Sequence, residues 1–136
     1  MVAPLAEVWP FDPTREFRTL ARLLAFDLIL VVSPGLGVKS LKELLALMRS
    51  ERLPWGSPGL VTAPNIAASV FNERANGKGV AVSYNGSAPA LTALLGGHVS
   101  YMFNMIDNLK GHIQAGKLLP VAMRNRFLRA LERELA

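Results

Sequence analysis

Along the chain, short aliphatic runs alternate with stretches in which apolar residues recur every three or four positions. "FDLILVVSP" is a β-branched and aliphatic run stopped by Pro34 and Gly35, and it predicts a buried strand. Ser40 then opens a helix with Glu43 three residues on, a capping box. Leu41, Leu44, Leu45 and Met48 form its apolar stripe, and Arg49 and Arg52 suit its negative end. "LPWGSPG" predicts a second short strand running into a turn. Thr62 reads as the cap of the next helix, with Pro64 tolerated in the first turn. Ile66, Val70 and Phe71 are expected to face inward, and Asn76-Gly77 to end that helix. "GVAVSY" predicts a third strand, after which Ser87 caps a helix over Ala88 to Leu95, closed by Gly96-Gly97. "HVSYMF" is a fourth strand, and a helix then carries Ile106, Leu109 and Ile113 to Gly116. "LLPVAM" is the fifth strand candidate.

The two ends read differently. Pro4, Pro10 and Pro13 punctuate residues 1–24 before a brief helical pattern at Phe17, Leu20, Leu23 and Leu24. Phe127, Leu128, Leu131 and Leu135 mark a terminal amphipathic helix, opposite its arginines. The alternation of strands and helices predicts an α/β domain with a largely parallel five-stranded sheet flanked by helices. No repeat, low-complexity segment or linker divides it. The expected organisation is therefore one α/β domain over 1–123 followed by a divergent helix over 124–136.

Composition narrows the classes. The chain has 136 residues, 51% of them hydrophobic and 18% charged, enough for one domain with a real core. Its apolar runs fall well short of the roughly 20 residues of a membrane span. No charged start, apolar stretch and small-residue cleavage site opens the sequence, so no signal peptide is expected within it. With no cysteine, disulfides and thiol chemistry are excluded. The net charge is +5, but Arg124, Arg126, Arg129 and Arg133 crowd the last stretch, and no aromatic–basic interleaving suggests a nucleic-acid face.

Ligands of such sheets collect where strands end and helices begin. "WGSPGLVTAPN" and "SYNGSAPAL" each run strand, glycine turn, hydroxyl, helix. Each offers backbone N–H groups, a hydroxyl and the positive end of a helix dipole, which suits a carboxylate or a phosphate. Thr62 or Ser87 alone reads more simply as a cap; the pairing is what points to a site, with both helices expected to open at one sheet edge. Catalysis has less support. His98 and His112 have no acid or nucleophile at a telling spacing, and no cluster predicts a metal. "GSPGLVT" lacks the Gly-Lys-Ser/Thr ending of a P-loop, and Ser57 is not in a G-x-S-x-G elbow. No enzyme and no cofactor is expected.

"FDPTREFRTLARL", "LILVVSPGLGVKSLKELLALMRS", "WGSPGLVTAPNIAASVF", "YNGSAPALTALLGGHVSYMF" and "HIQAGKLLPVAM" occur in the order and spacing of one family. Over about residues 8 to 123 the chain resembles the extracytoplasmic solute receptors of tripartite tricarboxylate transporters, the Bug-type family. The resemblance implies a type II periplasmic-binding-protein-like fold of which this sequence matches the second lobe alone. It also implies a periplasmic setting, a small carboxylate as solute, a membrane permease as partner and a first lobe elsewhere.

Carried over from the family, the second-lobe contacts fall on Ser57, Gly59, Thr62 and Ala63, on Tyr84, Asn85, Gly86, Ser87 and Ala88, and on Asn104. Four positions depart from the family pattern: Pro58 and Val61 replace a serine and a glycine, Asn85 stands where a basic residue is frequent, and Asn104 where an aspartate is common. The expected function is a truncated receptor lobe that binds carboxylates weakly or vestigially. The alternative is a self-associating interaction domain without solute. A twofold dimer is expected, because the apolar surface a first lobe would cover, near Trp9, Phe11 and Leu60, is otherwise open.

Overall fold

A computed structural model describes residues 27–123 continuously, together with residues 12, 15, 16, 18 and 21. The brief helical pattern of the N-terminal stretch, Trp9 and Phe11, and the terminal helix lie outside the described residues.

The elements follow the expected order. β1 (Leu28–Val32) leads through a 3-10 turn (Pro34–Leu36) to α1 (Leu41–Ser50), then β2 (Trp55–Ser57) and α2 (Ala63–Arg74). β3 (Ala81–Ser83), α3 (Ser87–Leu95), β4 (Tyr101–Met105), α4 (Ile106–Gln114) and β5 (Leu119–Met123) complete it. The strands lie in the order β3-β2-β4-β1-β5. β2 is parallel to β3 and to β4, whereas β1 runs antiparallel to both β4 and β5. Four strands therefore share one direction and β1 opposes them, so the largely parallel sheet is a mixed one. An aliphatic run buries the same side chains whichever way it points, so direction was not readable from the sequence.

Two cores sandwich the sheet. On one face, Leu30 and Val32 of β1 join Trp55, Tyr101 and Phe103 under α1 and α2. On the other, Ile29, Val31 and Met102 pack under α3 and α4, through Ala90, Ala93, Leu94 and Leu109. That is why β1 reads as an unbroken aliphatic run: it lies between β4 and β5 with both faces covered. Pro120 stands in edge strand β5, where the register slips between Leu30 and Val31 and a missing N–H is tolerated.

Several local expectations change. The buried stripe of α2 is Ala68 and Phe71, continued by Ala75, while Val70 is 44% exposed. One residue from Phe71 is about 100° around the helix, which turns Val70 to solvent. Asn76, at φ 54, takes the left-handed position that ends α2. In α1, Ser40 Oγ accepts from Glu43 N–H at 3.3 Å, but the Glu43 carboxylate reaches Lys39 N–H at 2.8 Å, one residue further out than a strict capping box.

Candidate functional site

Because β2, β3 and β4 are parallel, the turns that follow them leave the same sheet edge, and α2, α3 and α4 all begin there. The shared edge expected from the two matching turns is therefore present, with a third helix start beside them. α1 follows the reversed strand and begins at the other edge. Only α1 of these four helices has its N-terminus capped by a side chain at its N-cap; Thr62, Gly86 and Met105 make no such bond. Three uncapped helix starts thus gather at one edge, each a set of outward N–H donors with a positive dipole end.

The first turn is closed on itself. Ser57 is fully buried, and its Oγ both accepts from Gly59 N–H at 3.2 Å and lies 3.1 Å from the Gly59 carbonyl. Thr62 Oγ1 donates to that same carbonyl at 2.7 Å, and Thr62 N–H does so at 3.2 Å. Gly59 has φ 145, a conformation reserved for glycine, so the turn needs it. Thr62 does occupy the cap position, yet its hydroxyl serves the turn rather than the helix. Asn65, not singled out in the sequence, locks this arrangement: it accepts from Trp55 Nε1 at 3.2 Å and donates to the Leu60 carbonyl at 2.8 Å. Its clue was an amide one turn into a helix whose own cap already had a candidate.

The second turn is open. Gly86, at φ 110, is the N-cap of α3, so Ser87 is the first helical residue and does not cap the helix. Glycine wins that position because no side chain tolerates its backbone angles. Ser87 is half-buried, and among the described residues its hydroxyl has no hydrogen-bond partner. Tyr84 packs at the margin of the core under α3 and α4, while Asn85 and Ala88 are exposed.

Asn104, the next-to-last residue of β4, is 1% exposed. Its Oδ1 accepts from Met105 N–H at 2.8 Å and from Asn108 Nδ2 at 3.2 Å. Its Nδ2 is buried and has no hydrogen-bond partner among the described residues. A buried amide donor left unpaired costs about 1–3 kcal/mol, so it marks a place where an acceptor is missing. The segments 57–63, 83–89 and 104–108 carry no lysine or arginine, and Asp107 is their one acid. An anion here would be held by neutral donors alone.

The pattern matches one group of proteins. A family profile described as tripartite tricarboxylate transporter family receptor matches residues 1–130. The chain belongs to the tripartite tricarboxylate transporter receptor family. A UPF0065 protein of Bordetella bronchiseptica is 25% identical over 130 residues, covering 93% of this chain and 39% of that protein. An R. palustris protein solved with adipate is 27% identical with a TM-score of 0.69, over 72% of this chain and 33% of that one. A structure described as a periplasmic transporter is 25% identical with a TM-score of 0.75, over 86% and 40% of the respective chains. The chain thus spans between 28% and 39% of the length of the curated relatives it matches. Receptors of this family bind solutes rather than transform them.

In the structure the expected residues divide. Ser57, Gly59 and Thr62 build a self-satisfied turn with Ala63 exposed beside it; Gly86, Ser87 and Ala88 present an open helix start; Asn104 lies buried at the same edge. Two depressions, of about 580 and 340 Å³, lie at the other edge around Ser33, Pro34, Gly96, Gly97 and Lys117 and around Gly37, Lys39 and Gly116. None of the expected site residues lines either one. Among the described residues no group of His, Asp and Glu could hold a metal ion.

Proposed function

We propose that this chain supplies one wall of a carboxylate-binding cleft in a periplasmic tripartite tricarboxylate transport system. In this reading the solute carboxylate sits at the N-terminus of α3, taking the free Ser87 hydroxyl and the amides of Ser87 and Ala88, and drawing on the unpaired amide of Asn104. The observation that carries it is the buried Asn104 Nδ2, without a partner among the described residues, at the edge where three uncapped helices begin. The adipate in the R. palustris relative supports a small dicarboxylate as the solute class. A membrane permease, and a first lobe closing the other side of the cleft, complete the proposed system.

Affinity for the lobe by itself is expected to be weak. With no fixed cation and one side of the solute in water, the desolvation that strengthens hydrogen bonds in a closed cleft is lost. Calorimetry with adipate and a panel of dicarboxylates tests this. Binding in the high-micromolar to millimolar range that Ser87→Ala weakens several-fold is the expected result. Submicromolar binding contradicts the weak half-cleft, and heats unchanged by Ser87→Ala contradict the site.

A second reading rests on Leu60 and Val61, which are 65% and 67% exposed at that edge. Under it the lobe is an interaction domain that self-associates there, as a twofold dimer, and takes no solute.

A further inference from the structure

Opposite the three helix starts, the larger of the two depressions has a volume of about 580 Å³, within the range of small-molecule sites. Ser33, Pro34, Leu95 and Lys117 line it, together with the main chain of Gly96 and Gly97. Ser33 is only 7% exposed, and its N–H donates to the Ser100 carbonyl at 3.2 Å, which fixes it at the end of β1. Its hydroxyl does not cap the 3-10 turn and has no hydrogen-bond partner among the described residues. Lys117 is exposed and makes no ion pair among the described residues. The smaller depression shares Pro34 and is lined by Lys39, which is unpaired in the same sense. No acid lines either depression.

We propose that the larger depression is a second binding site, for a small molecule that joins one carboxylate to an apolar body. The carboxylate takes the Ser33 hydroxyl and the Lys117 ammonium, and the body packs on Pro34 and Leu95. Lys117 can only donate and a hydroxyl can do so, so the partner they share is an acceptor. A hydroxyl buried to this degree is costly to leave unpaired, which makes it a receptor for such a group. Charge selects an anion: each depression is lined by a lysine, whereas the turns at the cleft edge carry no lysine or arginine. The C-terminal ends of α3 and α4 point to this edge, and exposed carbonyls there would oppose an anion. Those carbonyls are largely taken. Gly97 and His98 N–H donate to Leu94 and Ala93, and Gly116 and Lys117 N–H donate to Ile113 and His112. Pro34 and Leu95 then favour hydrocarbon over a bare inorganic anion. None of the residues proposed to hold a carboxylate at α3 lines this depression, so the two sites stand or fall separately.

Titration of hexanoate into the isotope-labelled full chain, with the backbone amides followed by NMR, tests it. Saturable shifts are expected at Ser33, Gly35, Gly96, Gly97 and Lys117. Lys117→Ala and Ser33→Ala should each weaken that binding several-fold, while Ser87→Ala leaves it unchanged. Hexanol keeps the apolar body and inorganic phosphate keeps the charge, and each should bind there several-fold more weakly than hexanoate. Four results overturn the proposal. One is the absence of saturable shifts at these amides. Another is hexanol binding as tightly as hexanoate, which leaves an apolar patch without an anion site. The third is phosphate binding as tightly, which leaves charge alone. The last is hexanoate affinity unchanged in both Lys117→Ala and Ser33→Ala. Dispersed amide spectra confirm that each variant is folded before affinities are compared.

Discussion

The indole N–H of Trp55 donates to Asn65 Oδ1 at 3.2 Å, tying β2 to the first turn of α2. The other end of the same amide holds the Leu60 carbonyl, so one side chain fixes both the strand and the turn between them. Trp55 is 6% exposed and Asn65 7%, so the bond between them is buried, whereas the one to the Leu60 carbonyl is half-buried.

Asn65→Ala is therefore expected to destabilise the protein by about 2–3 kcal/mol, since it strands a buried indole donor and frees the Leu60 carbonyl. Urea unfolding measures the loss. Pairing it with Trp55→Phe recovers part of the cost, because the stranded donor is then gone. Strictly additive losses would show that the bond between the two is not what matters.

Gly86 separates backbone strain from packing. A Cβ added there meets no atom within 4 Å, yet φ is 110. Gly86→Ala should cost about 1–3 kcal/mol from backbone conformation alone. A melting temperature unchanged from the parent would mean that the turn into α3 relaxes freely. Any carboxylate affinity should fall with it, as the first amides of α3 are re-aimed.

Two serines at helix starts should behave differently. Ser40 caps α1 through Glu43 N–H, so Ser40→Ala is expected to lose about 1 kcal/mol. Ser87 caps nothing, so Ser87→Ala should stay within about 0.5 kcal/mol of the parent while weakening carboxylate binding. Denaturation and calorimetry on the same pair of variants check both halves. A large stability loss at Ser87 would assign that hydroxyl to the fold.

Burial pushes the Tyr101 phenol well above its ordinary 10.0. It is fully buried, stacked on Trp55 with ring centroids 6.0 Å apart and edge-on to Phe71 at 5.8 Å, and its hydroxyl has only a 3.5 Å contact to Asn72 Oδ1. A phenol whose folded value is raised contributes stability that is intact below about pH 10 and declines as pH rises above it. Ultraviolet titration should show Tyr101 ionising only together with unfolding, and Tyr101→Phe should flatten the alkaline fall in stability. Reversible ionisation of Tyr101 in the folded protein near pH 10 would contradict this.

Element existence was legible in the sequence, because each strand and helix carries its own period and punctuation. The aliphatic run of β1, the Ser40 cap, the glycine ends of α3 and the two matching turns are local features, governed by propensity and capping within a few residues. The candidate site was legible as positions: the turns that follow β2 and β3 do open at one edge. What each hydroxyl does there was not. Ser57 and Thr62 turn inward because the Gly59 carbonyl is within reach once φ is 145, and Ser87 does not cap α3 because Gly86 takes that position. Strand direction, the Asn65 clasp and the unpaired amide of Asn104 were decided only by the tertiary structure. Each depends on partners that burial brings together from separate parts of the chain. Hydrogen-bond satisfaction inside a protein is settled by what lies across the core, and a residue's neighbours in sequence do not record it.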